Sequence, residues 1–327
     1  MMLSCRYLVP RLLTRQLSSN SWENRIDDFT PIHIESHSNV SVRQYDWQND
    51  SVSPKTKLTY PLTRTSISYT DRLELKCSKT EDQISAKIPI KSPLFVDCKD
   101  NAGVEIHGHE ADIKIKTETG SSDLKSVKCE STSIISKKGD VQLNKIVSNC
   151  SIMTGGNITA QKIQGEALTI SSSTGSVNIG SLYSPAGSIY GKHGNIKIDN
   201  VHGNCKIVTG NGSVTIGSSQ DNLDVKCRGG NITVTLTDIK DVVLIESFGG
   251  PVKLYLSDVV CRKCTLSVQC TEKVDVLDEV KELVNRNDEA TTVIYVNAYA
   301  PVFVGKAKEW GQSIWDKLSD DGKPKSR

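Results

Sequence analysis

This chain has little net charge, few aromatic residues and no long apolar run. Its 40 Lys and Arg residues nearly balance 38 Asp and Glu residues, and the formal net charge is +2. Such a balance offers no basic field to a nucleic-acid partner. Aromatic residues make up 5% of the chain, which disfavours a stacking surface for single-stranded nucleic acid. No apolar run approaches the roughly 18 residues that a membrane-spanning helix needs, so we predict no transmembrane segment.

Motifs that hold cofactors are also missing. The chain contains no Gly-x-x-x-x-Gly-Lys-Ser/Thr phosphate loop and no Gly-Gly-x-Gly-x-Asp calcium repeat. Ser, Thr, Asn, Gly, Val and Ile are abundant instead, which is typical of strands joined by many turns. The sequence therefore predicts a β-rich protein and no cofactor.

One short phrase recurs along the chain, a glycine followed by alternating polar and apolar residues. Gly175-Ser-Val-Asn-Ile returns as Gly194-Asn-Ile-Lys-Ile and again as Gly212-Ser-Val-Thr-Ile. Successive copies begin 17 to 20 residues apart. The glycines that begin the copies are Gly120, Gly139, Gly156, Gly175, Gly194, Gly212, Gly230 and Gly250.

The repeat predicts an all-β fold, a single parallel β-solenoid, right-handed, with coils of about 18–19 residues. Alternation with period two indicates strands with one buried face, and each coil must stack on its neighbours to bury that face. We interpret the eight glycines as structural turn residues, suited to positive φ where the chain bends. An antiparallel sandwich would not need the same phrase at the same interval. The signature of leucine-rich repeats is absent.

The repeat also sets the predicted domain boundaries. The solenoid domain covers residues 31–300, with regular coils at about 111–258 and variant, capping coils before them. Residues 21–30 are predicted to be a linker, and the segment from Asn49 to Pro61 a loop.

A short helix and tail are predicted for residues 301–327. Trp310, Ile314 and Leu318 would share one face of that helix. We expect it to cap the last coil. The alternative is a peripheral contact with a membrane or a partner through Trp310 and Trp315.

The first twenty residues differ in character from the rest. They carry three arginines and no acidic residue among leucines and serines, which is typical of a mitochondrial transit peptide. Pro10 and Arg11 interrupt the apolar core that a secretory signal would need. We therefore predict a transit peptide at residues 1–20 and a location in the mitochondrial matrix rather than at the inner-membrane surface. The alternative is a disordered basic tail.

Ten cysteines are scattered over the chain, whereas disulfide frameworks belong to short secreted chains. Most lie in strand-like runs, and we interpret them as small buried apolar residues. The best metal or redox candidates are Cys261 and Cys264, followed by Cys270. A zinc site would need a second pair and a redox pair a thioredoxin-like setting, so we predict no metal and interpret these three as buried strand thiols.

The histidines offer a second candidate ligand set. His107 and His109 would share one face of a strand, and His193 or His202 could supply a third ligand from a neighbouring coil. His202 also belongs to a His-Gly pair of the kind found in some pectin-cleaving β-helices. We expect structural roles for these histidines, with His202 as a turn residue.

Catalysis on a sugar would need two or three carboxylates on adjacent coils. Asp140, Asp199 and Asp224 do not occupy equivalent positions of successive repeats. The sequence therefore predicts no catalytic residues and no enzyme.

The repeat phrases carry a resemblance to known proteins. SNVSVRQYD, GNITAQ, GSVNIG and GNIKID resemble an adhesin-like domain that is widespread in bacteria. With LTYP, TEKVDV and the tail WGQSIWDKL, residues 31–318 resemble the animal protein family called family with sequence similarity 185 member A. The resemblance implies a β-solenoid and supplies no catalytic residues.

Three hypotheses about function follow. The first is a non-enzymatic binding or scaffold solenoid in mitochondria, with a protein partner of unknown identity and no nucleic acid. The second is an extracellular adhesin-like glycoprotein, which would use the chain's Asn-x-Ser/Thr sequons. The third is a β-helix carbohydrate-active enzyme. The leader and the missing carboxylate cluster favour the first.

Overall fold

The computed structural model describes residues 21–24, 26, 29–44, 56–59, 65–69, 71–78, 83–284 and 292–307. The predicted transit peptide and the predicted helix with Trp310 and Trp315 lie outside the described residues. The described chain is nearly all β and divides into two compact units, residues 1–156 and 157–327. None of its described helices has the length and apolar character to span a bilayer.

The first unit is built from strands that are mostly parallel. In chain order they are β1 (Ser21–Asn24), β2 (Ile32–Ser36), β3 (Val40–Gln44), β4 (Thr56–Thr59), β5 (Thr65–Tyr69), β6 (Leu73–Cys77), β7 (Ile84–Ile88), β8 (Leu94–Cys98), β9 (Val104–His109), β10 (Ile113–Thr117), β11 (Ser122–Ser136) and β12 (Val141–Thr154).

Each coil of this unit contributes to two parallel stacks of strands. One stack runs β6, β2, β8, β10 and the second half of β11, and the other runs β7, β3, β9 and the first half of β11. The long strands β11 and β12 pair along both halves. Parallel stacking of successive coils is the architecture that the repeat predicts, so the fold class is confirmed here.

The order of the first coils differs from their order in the chain. The coil of β2 and β3 lies between the coil of β6 and β7 and the coil of β8 and β9. Antiparallel strands cover the outermost coil, because β5 pairs with β6 and β4 pairs with both β7 and β1. Two predictions are therefore wrong. The expected linker at 21–30 contains β1, and the expected loop from Asn49 to Pro61 contains β4.

The second unit contains the most regular coils. Its elements are β13 (Ile158–Gln164), β14 (Ala167–Ser172), β15 (Val177–Tyr183), β16 (Ala186–Gly191), β17 (Ile196–His202), β18 (Cys205–Thr209), β19 (Val214–Gln220), β20 (Leu223–Cys227), β21 (Ile232–Leu236), β22 (Val242–Ser247), β23 (Val252–Leu256), α1 (Asp258–Lys263), β24 (Cys264–Cys270), β25 (Val274–Val276), a 3-10 turn (Asp278–Val280), α2 (Lys281–Val284), β26 (Thr292–Ala298) and β27 (Val302–Lys306).

Equivalent residues of this unit stack in register. Val177 pairs with Ile158 in the preceding coil and with Ile196 in the following coil, 19 residues away in each direction. The whole inward column is at most 1% exposed and comprises Ile158, Val177, Ile196, Val214, Ile232, Val252 and Val302. Burial of each such side chain contributes about 1.5–3 kcal/mol, so stacking itself provides the stability that no single coil has.

The last two coils again exchange their order. β26 lies between β22 and β24, and β27 lies between β23 and β25. The coil of β24 and β25 is therefore outermost, although it precedes β26 in the chain. The boundary predicted at residue 300 is wrong, because β27 is an integral strand within the segment assigned to a helix and tail.

The repeated glycines lie at bends that precede strands, and their main constraint is close approach between coils. A Cβ on Gly194 would lie far inside van der Waals contact with the carbonyl oxygen of Gly175, and a Cβ on Gly212 would meet Gly194 in the same way. Among the described glycines only Gly108 and Gly203 have φ in the left-handed region. The prediction that glycine recurs because the backbone needs positive φ is therefore wrong. Glycine recurs because a side chain would not fit between the coils.

Candidate functional site: the Phe95 groove

The first unit carries a groove of about 660 Å³ on its surface. It crosses the first residues of β2, β8 and β10, the second half of β11 and Arg72, which directly precedes β6, so successive coils each contribute side chains. We call it the Phe95 groove, after the aromatic ring that it contains. The residues that define it are Pro31, His33, Arg72, Phe95, Asp112 and Lys114.

Strand alternation places Phe95 in the groove. Leu94 and Val96 point into the core and are at most 2% exposed, so the side chain between them points outward. On the neighbouring strand β2, the outward residue in register is His33. The two rings meet edge to face, with centroids 4.4 Å apart and an interplanar angle of 86°. This geometry fixes the aromatic face of the groove.

Two lysines flank Phe95 on the other side. The Nζ atom of Lys114 lies 5.9 Å from the ring centroid and that of Lys116 lies 5.7 Å away. Both distances are within the range of cation–π attraction, which contributes about 0.5–1 kcal/mol at an exposed site. Both side chains are exposed, and neither forms an ion pair with any residue that the structure describes. The groove therefore combines an aromatic surface with the positive charge of Lys114 in its lining and that of Lys116 beside Phe95.

The other charged groups of the groove have partners within it. An oxygen of Glu74 lies 2.5 Å from the guanidinium of Arg72. The Oδ1 atom of Asp112 accepts a hydrogen bond of 3.0 Å from the backbone N–H of Ser131. Partial burial lowers the pKa of His33, although the charge of Glu74 opposes the shift. His33 is thus biased toward its neutral form, and the lysines dominate the charge of the surface.

A second exposed aromatic surface lies on the second unit. Phe248 and Tyr299 are 52% and 59% exposed, and their rings stack with centroids 5.9 Å apart. They border a cavity of about 380 Å³ that also contains Glu246, Asn297 and Cys270. This cavity is smaller than the Phe95 groove. Its aromatic residues, Phe248 and Tyr299, are exposed, whereas Phe95 is half-buried.

The candidate cysteines Cys261, Cys264 and Cys270 do not come together as one cluster. Cys261 lies on α1, so the interpretation of a strand thiol is wrong for this residue. Cys264 begins β24 and Cys270 ends it, which separates them by about 20 Å along an extended strand. Burial raises the pKa of Cys264 to about 11 and also raises the pKa of Cys261. Nowhere in the described part of the chain do three His, Cys, Asp or Glu side chains group in a way that could hold a metal ion.

The prediction that His107 and His109 share one face of a strand is wrong for a local reason. Gly108 has a φ of +65°, and this left-handed residue breaks the alternation of β9. His107 is consequently exposed, whereas His109 is 1% exposed and its Nε2 donates to the carbonyl oxygen of Ser92 at 2.9 Å. Burial lowers the pKa of His109 to about 4. The two side chains do not share a face and do not form a ligand pair.

His202 has a definite outward environment. Its ring stacks on Tyr183 with centroids 4.3 Å apart and an interplanar angle of 3°, and its Nδ1 lies 3.1 Å from Oε1 of Gln220. It ends β17 directly before the turn at Gly203, while His193 is exposed at another turn. The stack is a contact between neighbouring coils.

The acids that sequence analysis considered lie on different strands. Asp199 is on β17, 3.5 Å from Lys197, and Asp224 is on β20, 3.5 Å from Lys206. Asp140 directly precedes β12. Asp199 and Asp224 therefore each lie near a lysine. Their strands, β17 and β20, belong to different stacks of the second unit.

The sequon residue Asn157 has a structural role in the coils. Oδ1 of Asn157 accepts a hydrogen bond from the backbone N–H of Ser176 at 2.9 Å, one coil later. Oδ1 of Asn195, which is not in a sequon, accepts equivalently from Ser213 at 2.9 Å. The asparagine beside the turn therefore links neighbouring coils, whether or not it belongs to a sequon.

Sequence analysis did not identify the Phe95 groove. His33 and Phe95 become neighbours only because β8 pairs with β2, which precedes it by two coils in the sequence. One signal was available, since both strands begin with a similar phrase, Pro31-Ile-His and Pro93-Leu-Phe.

Comparison with known proteins assigns the domain. The family model Toastrack DUF4097 matches residues 79–276, and the chain belongs to this family. An adhesin-like protein from Bacteroides fragilis NCTC 9343 has a similar crystal structure, at 15% identity and a TM-score of 0.40, covering 67% of this chain and 96% of that one. Another from Parabacteroides merdae ATCC 43184 is 19% identical with a TM-score of 0.34, covering 72% and 95%.

Proposed function

We propose that this protein is a non-enzymatic binding or scaffold protein of the mitochondrial matrix and that the Phe95 groove holds its partner. The observation that carries the proposal is the aromatic ring of Phe95 between the edge of His33 and two exposed lysines. Membership of the Toastrack family supports a binding or scaffold role. An open groove that combines apolar side chains with a few positioned polar groups is suited to recognition.

The groove fits an extended protein segment with an apolar side chain and nearby carboxylates. The apolar side chain would pack on Phe95 between Pro31 and Pro93, and the carboxylates would pair with Lys114 and Lys116. Arg72 pairs with Glu74 and Asp112 accepts from a backbone N–H, and among the described residues neither carboxylate forms an ion pair with Lys114 or Lys116. Charge complementarity therefore favours an acidic partner segment.

A binding role also agrees with the environment of the groove's titratable groups. Asp112 and Glu74 each have a partner, and burial is the largest cause of the lowered pKa of His33. Retaining or inverting sugar hydrolysis would need two carboxyl groups facing a common space. The arrangement in the groove supports recognition instead.

The mitochondrial location and the animal family are proposals from the sequence. The basic, acid-free leader at residues 1–20 supports import, and the phrases LTYP, TEKVDV and WGQSIWDKL support membership of family with sequence similarity 185 member A. Imaging of the full-length chain and of a chain lacking residues 1–20 tests the location. Only the full-length chain should enter mitochondria. Secretion or cytosolic retention of both would overturn this part of the proposal.

Charge reversal tests the groove. In proximity labelling of the full-length chain, the Lys114→Glu/Lys116→Glu variant should lose the neighbours that bind through the groove. Lys162→Glu/Lys253→Glu is the matched control, because both lysines are exposed on strands of the second unit and neither forms an ion pair with a described residue. Loss of the same neighbours in both variants, or in neither, would contradict the assignment of the groove.

A further inference from the structure

Two rows of outward side chains cross the coils of the first unit at the Phe95 groove. Members of a row lie opposite each other on paired strands and are one coil apart, about 4.8 Å. The first row passes through the groove and comprises His33, Phe95, Lys114, Ser133 and Ser151. The second row lies two residues further along the same strands and comprises Glu35, Asp97, Lys116, Ile135 and Met153. The surface of these strands can therefore be followed coil by coil.

The surface becomes apolar beyond the groove. Ile135 is 43% exposed and Met153 is 60% exposed, and they lie directly opposite each other on β11 and β12. Beside them, the first row has only the small side chains of Ser133 and Ser151, and Ser133 also lines the groove. We call these four residues the Met153 shelf. Exposed apolar side chains that continue a groove are typical of a binding surface.

We infer that the Phe95 groove and the Met153 shelf bind one extended acidic segment of a protein partner, which crosses the coils and has the pattern apolar-x-acidic-x-apolar. The first apolar side chain packs on Phe95, and the second packs on Ile135 and Met153. The carboxylate between them pairs with Lys114 and Lys116. This inference rests on the proposed function, because it defines the remainder of the site to which Phe95 belongs.

The lysines between the two apolar surfaces favour an acidic residue at the centre of the segment. Neither Lys114 nor Lys116 forms an ion pair with a described residue, and both lie beside the Phe95 ring. Asp97 lies opposite Lys116 in the second row, but both of its carboxylate oxygens are 2.8 Å from Nζ of Lys99. Glu35, one coil beyond Asp97, is also paired with a lysine. A carboxylate of the partner would therefore meet two lysines that have no ion-pair partner among the described residues.

The spacing of these groups matches a segment in the extended conformation. Ile135 lies two coils from Phe95 and Met153 three coils from it, and both lie two residues further along their strands. These offsets correspond to about 12 Å and about 16 Å, at about 4.8 Å per coil and about 3.3 Å per residue. The same arithmetic places Lys114 about 5 Å and Lys116 about 8 Å from Phe95. In an extended segment, residues i, i+2 and i+4 point to one side at about 0, 7 and 13 Å, which fits the order apolar, acidic, apolar.

Selection of displayed random peptides on the full chain tests the pattern. Wild type should enrich an acidic residue with an apolar residue two positions before it and another two positions after it. Ile135→Ser/Met153→Ser should lose the preference for one of these apolar residues and keep the rest of the pattern. Val147→Ser is the matched control, because Val147 is an exposed apolar residue of β12 outside both rows. Its selected pattern should equal that of wild type.

The outcomes distinguish this inference from the proposed function. If the acidic preference and one apolar preference depend on Phe95, Lys114 and Lys116 but no second apolar preference depends on Ile135 and Met153, the inference is overturned and the proposed function stands. If no preference depends on Phe95 or the two lysines, both are overturned. Apolar residues enriched seven positions apart would indicate a helix and would overturn the extended conformation.

Fluorescence anisotropy with two labelled peptides of equal composition tests the spacing. A peptide with the core Leu-Ser-Glu-Ser-Leu should bind the full chain, and Ile135→Ser/Met153→Ser should weaken its binding about tenfold, as expected when one leucine loses its apolar contacts. A peptide with the core Leu-Leu-Ser-Ser-Glu should bind wild type more weakly, and its affinity should not change in the variant. Equal affinities of the two peptides for wild type, or no binding of either, would overturn the inference.

Discussion

The Cα of Gly230 approaches the carbonyl of Gly212 so closely that a Cβ at residue 230 would lie far inside van der Waals contact with that oxygen. Gly212 stands in the same relation to Gly194, and Gly250 to Gly230. These glycines form a column. At each of them, the backbone carbonyl of the preceding coil occupies the space that a side chain would need. The recurring glycine of the sequence is therefore a packing requirement between coils.

The two adjacent glycines at 229 and 230 give a controlled test of this requirement. Gly230→Ala should reduce the free energy of unfolding by about 1–3 kcal/mol, because backbone must shift to admit the methyl group. At Gly229 the nearest atom to an added Cβ is Oδ1 of Asn211 at 3.4 Å, which is ordinary contact. Gly229→Ala should stay within about 0.5 kcal/mol of wild type. Denaturant unfolding measures both, and equal losses would contradict the packing explanation.

Cys227 occupies a position that other coils fill with a hydroxyl residue. Its Sγ donates to the carbonyl oxygen of Gly230 at 3.0 Å, and Thr209, one coil earlier, donates to Gly212 at 3.3 Å. Cys205 lies instead in an apolar column opposite Leu223 and is 4% exposed. The two thiols are thus chemically distinct, although the sequence analysis treated both as apolar.

Serine substitution should separate the two cysteines. Cys227→Ser should change the free energy of unfolding by less than about 1 kcal/mol, because the hydroxyl can donate to the same carbonyl. Cys205→Ser should cost about 1–3 kcal/mol, since it buries a hydroxyl among apolar side chains. Thermal or denaturant unfolding checks both values. A larger loss at residue 227 than at 205 would show that the hydrogen-bonding position is misassigned.

His109 predicts a dependence of stability on pH. Its pKa is lowered by burial from 6.5 to about 4, so the unfolded chain binds the proton more readily than the folded one. The stability that this neutral side chain provides is complete above about pH 6.5 and is lost as the pH falls toward 4. This difference corresponds to about 3 kcal/mol.

The comparison of two histidine variants isolates that contribution. Unfolding free energies measured between pH 7 and pH 4 should fall less steeply for His109→Gln than for wild type, by up to about 3 kcal/mol over the range. His193→Gln replaces an exposed histidine at a turn and should leave the slope unchanged. An unchanged slope for His109→Gln would mean that His109 is not buried in its neutral form.

The repeat made much of the fold predictable from the sequence. Alternation after Gly175, Gly194 and Gly212 identified strands β15, β17 and β19, and the fixed interval identified their parallel stacking. Local pattern suffices there, because each coil pairs with the next one in the chain. His107 and His109 show its limit, since one left-handed glycine between them reverses the face of the second residue.

The groove and the order of the end coils could not be predicted in this way. β2 pairs with both β6 and β8, and β26 separates β24 from β22, so neighbours in space are not neighbours in sequence. A period in the sequence says how long each coil is but not in which order the variant end coils stack. The contact of His33 with Phe95 follows from that order.

Site-specific photo-cross-linking tests the central claim, that the Phe95 groove binds a partner, most directly. A photoreactive amino acid in place of Ser133 would lie in the groove. The same amino acid in place of Ser188 would lie at an outward position of β16 in the second unit. The account predicts a discrete cross-linked protein at residue 133, absent at 188 and lost when Phe95→Ala is added. Equal products at both positions, or a product at 133 that survives Phe95→Ala, would contradict it.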